Sequence, residues 1–299
     1  MAILLLGTMS LSKCSFKGNG LPVRMINVLC LGNSYTVDAF AYVPCLLRMA
    51  TADVQFNICL LHRDKFTLND HYEYGVNGNR MYTLYCFDGG EKKWSSTKQT
   101  LLSALKSRDW DMVVLQQGSL DSRIYDRYQP CLNKMIRWLL PKVNQSCCLA
   151  WLETPAWPEG CHGLKGEKSD SMARDIARCT LKLMDEEPIE VMFPVGRAIQ
   201  HARNMGMANV GDFGYMCYDE FHLQDGLPRL AAALVATQQL LQWSGCDSLK
   251  MGDVQKLKID EEWLELYNIP QRHGKPVSCS PQDITTITVA IELALEAPL

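Results

Sequence analysis

The sequence predicts a doubly wound, three-layer α/β/α sandwich on a mainly parallel sheet of five strands. Two observations carry this. Five short, almost continuously apolar runs recur along the chain, as strands buried on both faces of a sheet require. Segments with helical periodicity separate them, which favours parallel pairing through crossover helices.

In chain order, residues 1–24 read as an N-terminal extension or a degenerate signal segment. Ile3–Leu6 is apolar, but no basic residue precedes it, and Lys13 stands where a cleavage site wants a small side chain. Cys14 offers a lipidation reading, and Met25 an alternative start. The compartment stays open: periplasmic or secreted if the segment is a signal remnant, cytoplasmic otherwise. The strand runs are Ile26–Leu31, Val54–Leu61, Met112–Leu115, Cys147–Leu152 and Ile189–Phe193. Helical patterns cover Tyr42–Ala50, Lys98–Ser107, Pro130–Leu140, Ser169–Asp185, Val195–Met205 and Leu227–Trp243. A last helix follows Ser280-Pro281, an N-cap with a first-turn proline. Residues 64–97 read as an insertion. Within it, Tyr72–Gly90 alternates aromatic and polar residues around Asn77-Gly78, which predicts a β-hairpin on the rim of the sheet. With no repeat, linker or low-complexity tract, residues 25–299 read as one domain.

The chain has 299 residues, and 47% hydrophobic content excludes a disordered or collagen-like chain. A chain this long can bury about three quarters of its unfolded surface, so it needs no metal or disulfide to fold. Its 30 Lys and Arg against 33 Asp and Glu leave a formal charge of −3, and the longest basic cluster is Lys92-Lys93. Nucleic acid and anionic membranes are therefore disfavoured as partners. No run reaches the roughly 18 apolar residues of a membrane helix. The 13 cysteines are odd in number and show no CxxC spacing. Several sit in strand runs, Cys30, Cys59 and Cys148 among them, and read as reduced core residues. Cys161-His162 alone does not make a metal site, so no metal and no cofactor are expected.

In open parallel sheets, ligands bind beyond the carboxyl ends of the strands. After the first strand stands Gly32-Asn33-Ser34-Tyr35-Thr36. A serine on that turn exposes its Oγ, and its own N–H can donate to an oxyanion. A helix cap by Asn33 or Ser34 is the plainer reading. Late in the chain stands Asp219-Glu220-Phe221-His222. An Asp three residues before a His can hold Nδ1–H and leave Nε2 free as a base. After the third strand come Gln116 and Gln117, whose amides need partners if buried. The Gln117 amide could serve the oxyanion, or pin neighbouring loops. His62, His71 and Trp151 read more readily as core or surface residues than as site residues. Trp157 could wall a binding site.

Together these motifs resemble the SGNH/GDSL hydrolase superfamily and, within it, an uncharacterised bacterial SGNH-like branch. The first block resembles Gly32–Thr36, the last Asp219 and His222. The branch's Gln-Gln-x-Ser looks like Gln116–Ser119, and a further segment looks like Pro194–Gln200. The resemblance spans about Ile26 to Trp243. It implies a flavodoxin-like three-layer α/β/α fold and a serine esterase hydrolysing O-acyl, chiefly acetyl, esters on carbohydrate. The implied triad is Ser34, Asp219 and His222, with Ser34 and Gln117 in the oxyanion hole. Asn33, Tyr35, Gln116, Asp64, Lys65 and Trp157 are the candidate substrate contacts, and a small-molecule or glycan ester is the expected partner. The chain departs from the family in two blocks. No Gly follows the second strand before Gly75, and Gln117 stands nearest to the third block's Asn. These departures support an alternative: a catalytically weak SGNH-like domain that binds glycan or a protein partner. A nucleotide-binding flavodoxin-like module is disfavoured, because no Gly-rich phosphate loop follows a strand.

Overall fold

The computed structural model describes residues 15–16, 22–51, 53–78, 80–207 and 216–296. Most of the N-terminal segment discussed above lies outside them. The chain runs β1 (Ser15–Phe16), β2 (Pro22–Gly32), α1 (Ser34–Phe40), α2 (Val43–Ala50), β3 (Val54–His62), β4 (Tyr82–Phe87), β5 (Ser95–Gln99) and α3 (Leu101–Leu105). It continues through β6 (Met112–Gln116), α4 (Cys131–Leu139), β7 (Cys148–Leu152), α5 (Ser169–Glu186), β8 (Val191–Phe193), α6 (Val195–Asn204), α7 (Leu227–Ser244) and α8 (Pro281–Glu296).

The sheet order is β5-β4-β3-β2-β6-β7-β8, with β1 antiparallel on β2. The five strands read from the sequence are the parallel ones, β3-β2-β6-β7-β8. Their apolar continuity has a simple cause. Alternate residues of β2 enter different cores: Val28 and Cys30 pack with α1, α2, α6 and α7, while Leu29 and Leu31 pack with α3 and α4. A strand with two dry faces has no polar alternation to show. The result is a three-layer α/β/α fold, as the sequence predicts.

Two details of the insertion differ. The hairpin is not centred on Asn77-Gly78. Thr67 and Asp70 form a reciprocal capping box, and Leu68–Gly75 turns helically. The hairpin is β4–β5, and it extends the sheet antiparallel from β3. Residues 95–99 therefore pair as a strand, where a helix starting at Lys98 was expected. The register sets Cys59 opposite Cys86 with Cα atoms 4.2 Å apart, and the two form a disulfide. Cys59 is thus not a free core thiol. The other described cysteines, Cys30 and Cys148 included, are free.

Candidate active site

β2, β3 and β6 end side by side at Gly32, His62 and Gln116. Gly32 is sterically required, because a Cβ there would collide with the Thr36 hydroxyl and the Gln116 amide oxygen. Asn33, in extended conformation, caps α1 by accepting from the Tyr35 N–H at 3.1 Å. That leaves Ser34 at the first helical position with its side chain uncommitted to capping. Its backbone N–H has no partner among the described residues.

His222 comes from the 217–223 loop, which closes on itself through a Cys217–Leu223 bridge. Its Nε2 lies 2.8 Å from Ser34 Oγ, and its Nδ1 lies 2.7 Å from Asp219 Oδ2. The other Asp219 oxygen accepts the N–H groups of Phe221 and His222, at 2.8 and 2.7 Å. Burial pushes the Asp219 carboxyl up, but the hydrogen bonds from His222 and Phe221 outweigh it and hold its pKa below the usual carboxylate value. Asp219 thus stays ionised beside the imidazole. Serine, imidazole and carboxylate are brought into one hydrogen-bonded line.

Beside this line opens a cavity of about 320 Å³, walled by Tyr35, Leu120, Trp157 and Phe221, with Asp64 and Lys65 also lining it. Trp157 meets Phe221 edge-on at 5.3 Å. Among the described residues, the Tyr35 hydroxyl and Trp157 Nε1 have no partner in hydrogen-bond geometry. Lys65 has φ +61°, the left-handed conformation that glycine takes most readily.

The two glutamines are corrections to the sequence reading. Gln117 Nε2 donates to the Arg127 carbonyl at 3.0 Å, and its Oε1 accepts the N–H groups of Leu68 and Gly118. All three partners are backbone groups, and Gln117 is not among the residues that line the cavity, so its amide pins the surrounding loops. Gln116 is buried and bonds Asn33 Oδ1, the Gln117 carbonyl and the Thr36 hydroxyl. It holds the serine turn in place and does not reach the cavity. Asn33 borders the cavity, but its amide donates to the Phe66 carbonyl at 3.0 Å. Of the two placements read for His62 and His71, core or surface, the structure shows the core. His62 is buried, with its pKa pushed down to about 4, and His71 to about 3, mainly by burial. Arg197, in the Pro194–Gln200 segment, pairs with buried Glu153 at 3.0 Å, and neither residue lines the cavity. Among the described residues no cluster of His, Cys, Asp or Glu could hold a metal ion. No described helix is long and apolar enough to cross a membrane.

Sequence reasoning missed the ion cluster behind the site. Arg229 donates to Asp38 at 2.6 Å and to Asp225 at 3.0 Å, all three fully buried. Asp38 also accepts the Leu223 N–H at 3.0 Å, next to His222. The only sequence signal was spacing: Asp38 lies one turn after Ser34, and Asp225 three residues after His222.

The chain is similar to known proteins at the level of family and fold. The DUF4886 profile, described as a domain of unknown function, matches residues 27–249, and the chain belongs to this family. A crystal structure of a DUF4886 family protein from Bacteroides uniformis is similar at 23% identity, with a TM-score of 0.72, over 91% of this chain and 95% of that one. That likeness concerns the fold. A looser one, at 12% identity and a TM-score of 0.46, covers 75% of this chain and 96% of a catalytic mutant of Axe2, an acetylxylan esterase from Geobacillus stearothermophilus. Among curated proteins none matches.

Proposed function

We propose that this DUF4886 family protein is a serine esterase of SGNH type. The observation that carries the reading is the line Asp219–His222–Ser34, with both imidazole nitrogens engaged at 2.7 and 2.8 Å beside an open cavity. In this reading His222 takes the Ser34 proton as Oγ attacks the acyl carbonyl. Asp219, ionised, holds the ring and stabilises the imidazolium. The tetrahedral oxyanion rests on the free Ser34 N–H and on a backbone N–H of the Asp64–Lys65 turn, whose left-handed Lys65 supports this role. His222 then protonates the leaving alcohol. With the alcohol gone, it activates water against the acyl-enzyme.

The modest, aromatic-walled cavity supports a short acyl group, and the resemblance of the motifs supports an acetyl ester on carbohydrate. The left-handed Lys65 answers one motive for a binding-only domain, the missing Gly, while the loop-pinning Gln117 leaves the other, the replaced Asn, in place. The test is turnover of p-nitrophenyl acetate by wild type and Ser34→Ala. The variant should lose at least about 10³-fold in kcat. Wild-type turnover no faster than the variant's would overturn the reading. Acetate release from a peracetylated monosaccharide then tests the substrate class.

A further inference from the structure

His222 carries a second imidazole on one face. His273 stacks against it with ring centroids 4.8 Å apart and planes 20° from parallel. Tyr218 stacks on His273 in turn, at 5.9 Å and 23°. The other rings near His222 are farther and less parallel: Tyr35 at 6.1 Å and 32°, and Phe221 edge-on at 6.3 Å. His273 lies between α7 and α8, outside the residues 27–249 that match the family profile.

The segment carrying His273 is fixed through its backbone. The His273 N–H donates to Asp225 Oδ2 at 2.8 Å, and the Gln271 carbonyl accepts from Arg229 at 2.6 Å. The His273 side chain is 16% exposed, with Nε2 3.5 Å from Asp38 Oδ1 but not in hydrogen-bond geometry. The charged and titratable groups that face it are Asp38 from α1, Asp225 just before α7, Arg229 in its first turn, and His222 itself. Asp38 and Asp225 are already paired with Arg229, and Asp225 also with Arg272. Burial pushes the His273 pKa down to about 4, so the ring is uncharged at neutral pH.

A base that takes a proton from serine becomes a cation. An uncharged aromatic face within about 6 Å attracts such a cation, whereas a charged neighbour would repel it. We propose that His273 is a positioning residue for His222: its ring face fixes the plane of the base and stabilises the imidazolium formed during catalysis. This rests on the esterase reading above.

The test compares His273→Leu, which fills the space without a π face, with His273→Phe, which keeps the face. The readout is p-nitrophenyl acetate hydrolysis across pH. The Leu variant should lose about tenfold in kcat/KM, carried by kcat rather than KM. Its acid limb should move to lower pH by roughly one unit, because an imidazolium without its π partner gives up its proton more readily. The Phe variant should recover both rate and limb. Equal rates and limbs for Leu and Phe would overturn the proposal, whether both match wild type or both are impaired. Ser34→Ala, run alongside, separates the two readings. If it hydrolyses as fast as wild type, the esterase reading fails. If it is inactive while Leu and Phe coincide, the role of His273 alone fails.

Discussion

Two carboxylate arrangements, Asp219 and the Asp38–Asp225 pair, stand near the candidate base, and they are built differently. Asp219 is 38% exposed, and its Oδ2 serves the imidazole alone. Asp38 and Asp225 are at most 1% exposed and are occupied by Arg229, by backbone N–H groups and by Tyr42. The first arrangement suits a proton that moves, because one partner must change charge while solvent and dipoles adjust. The second is closed to solvent and held by a buried cation, so it holds geometry. It holds the parts that matter: Asp38 sits one turn beyond Ser34, Asp225 three residues beyond His222, and Arg229 clasps both. A charged side chain near a reacting group is thus not in itself part of the chemistry. Solvent access and a buried cationic partner separate the two roles.

The difference can be broken from the buried side. Replacing Arg229 with Met leaves Asp38 with no cationic partner in a dry interior, a class of change that costs about 3–5 kcal/mol. For a chain of this size that is a fall of roughly 10 °C in melting temperature, read by thermal unfolding. A fall of less than about 2 °C would mean that the cluster holds nothing. A smaller effect tests the glutamine correction. Gln117→Ala removes three bonds to backbone groups and should cost about 1–3 kcal/mol of stability. The kcat of the folded protein should stay within about threefold of wild type. A loss of about 10²–10³ in kcat at unchanged stability would restore Gln117 to the oxyanion hole.

The legible and illegible parts of the molecule divide along the same physical lines. The five parallel strands could be read because each lies between two apolar layers. Ser34 and the Asp219–His222 pair could be read because their geometry is local, a helix start and a three-residue loop step. The hairpin register could not. Residues 95–99 are Ser-Ser-Thr-Lys-Gln, an exposed edge strand with no apolar alternation, whereas the aromatic run before Gly78 imitates a strand but starts under a helical capping box. The Cys59–Cys86 disulfide was hidden with the register that creates it. The sequence could not choose between the two readings of Gln117, because its partner is the carbonyl of Arg127, at the end of a short 3-10 turn without a sequence signal. Arg229 and His273 act across long sequence distances, Arg229 on a carboxylate 191 residues away, and only the folded chain brings them together.

The central claim is that Ser34 is a nucleophile activated by His222. It is tested most directly by treating the native protein with a fluorophosphonate and locating the adduct by mass spectrometry of the intact chain and its peptides. A single phosphonyl adduct on Ser34, absent from Ser34→Ala and from His222→Ala, is the predicted result. An unmodified wild type, an adduct on another residue, or equal labelling of the Ser34 variant would contradict it.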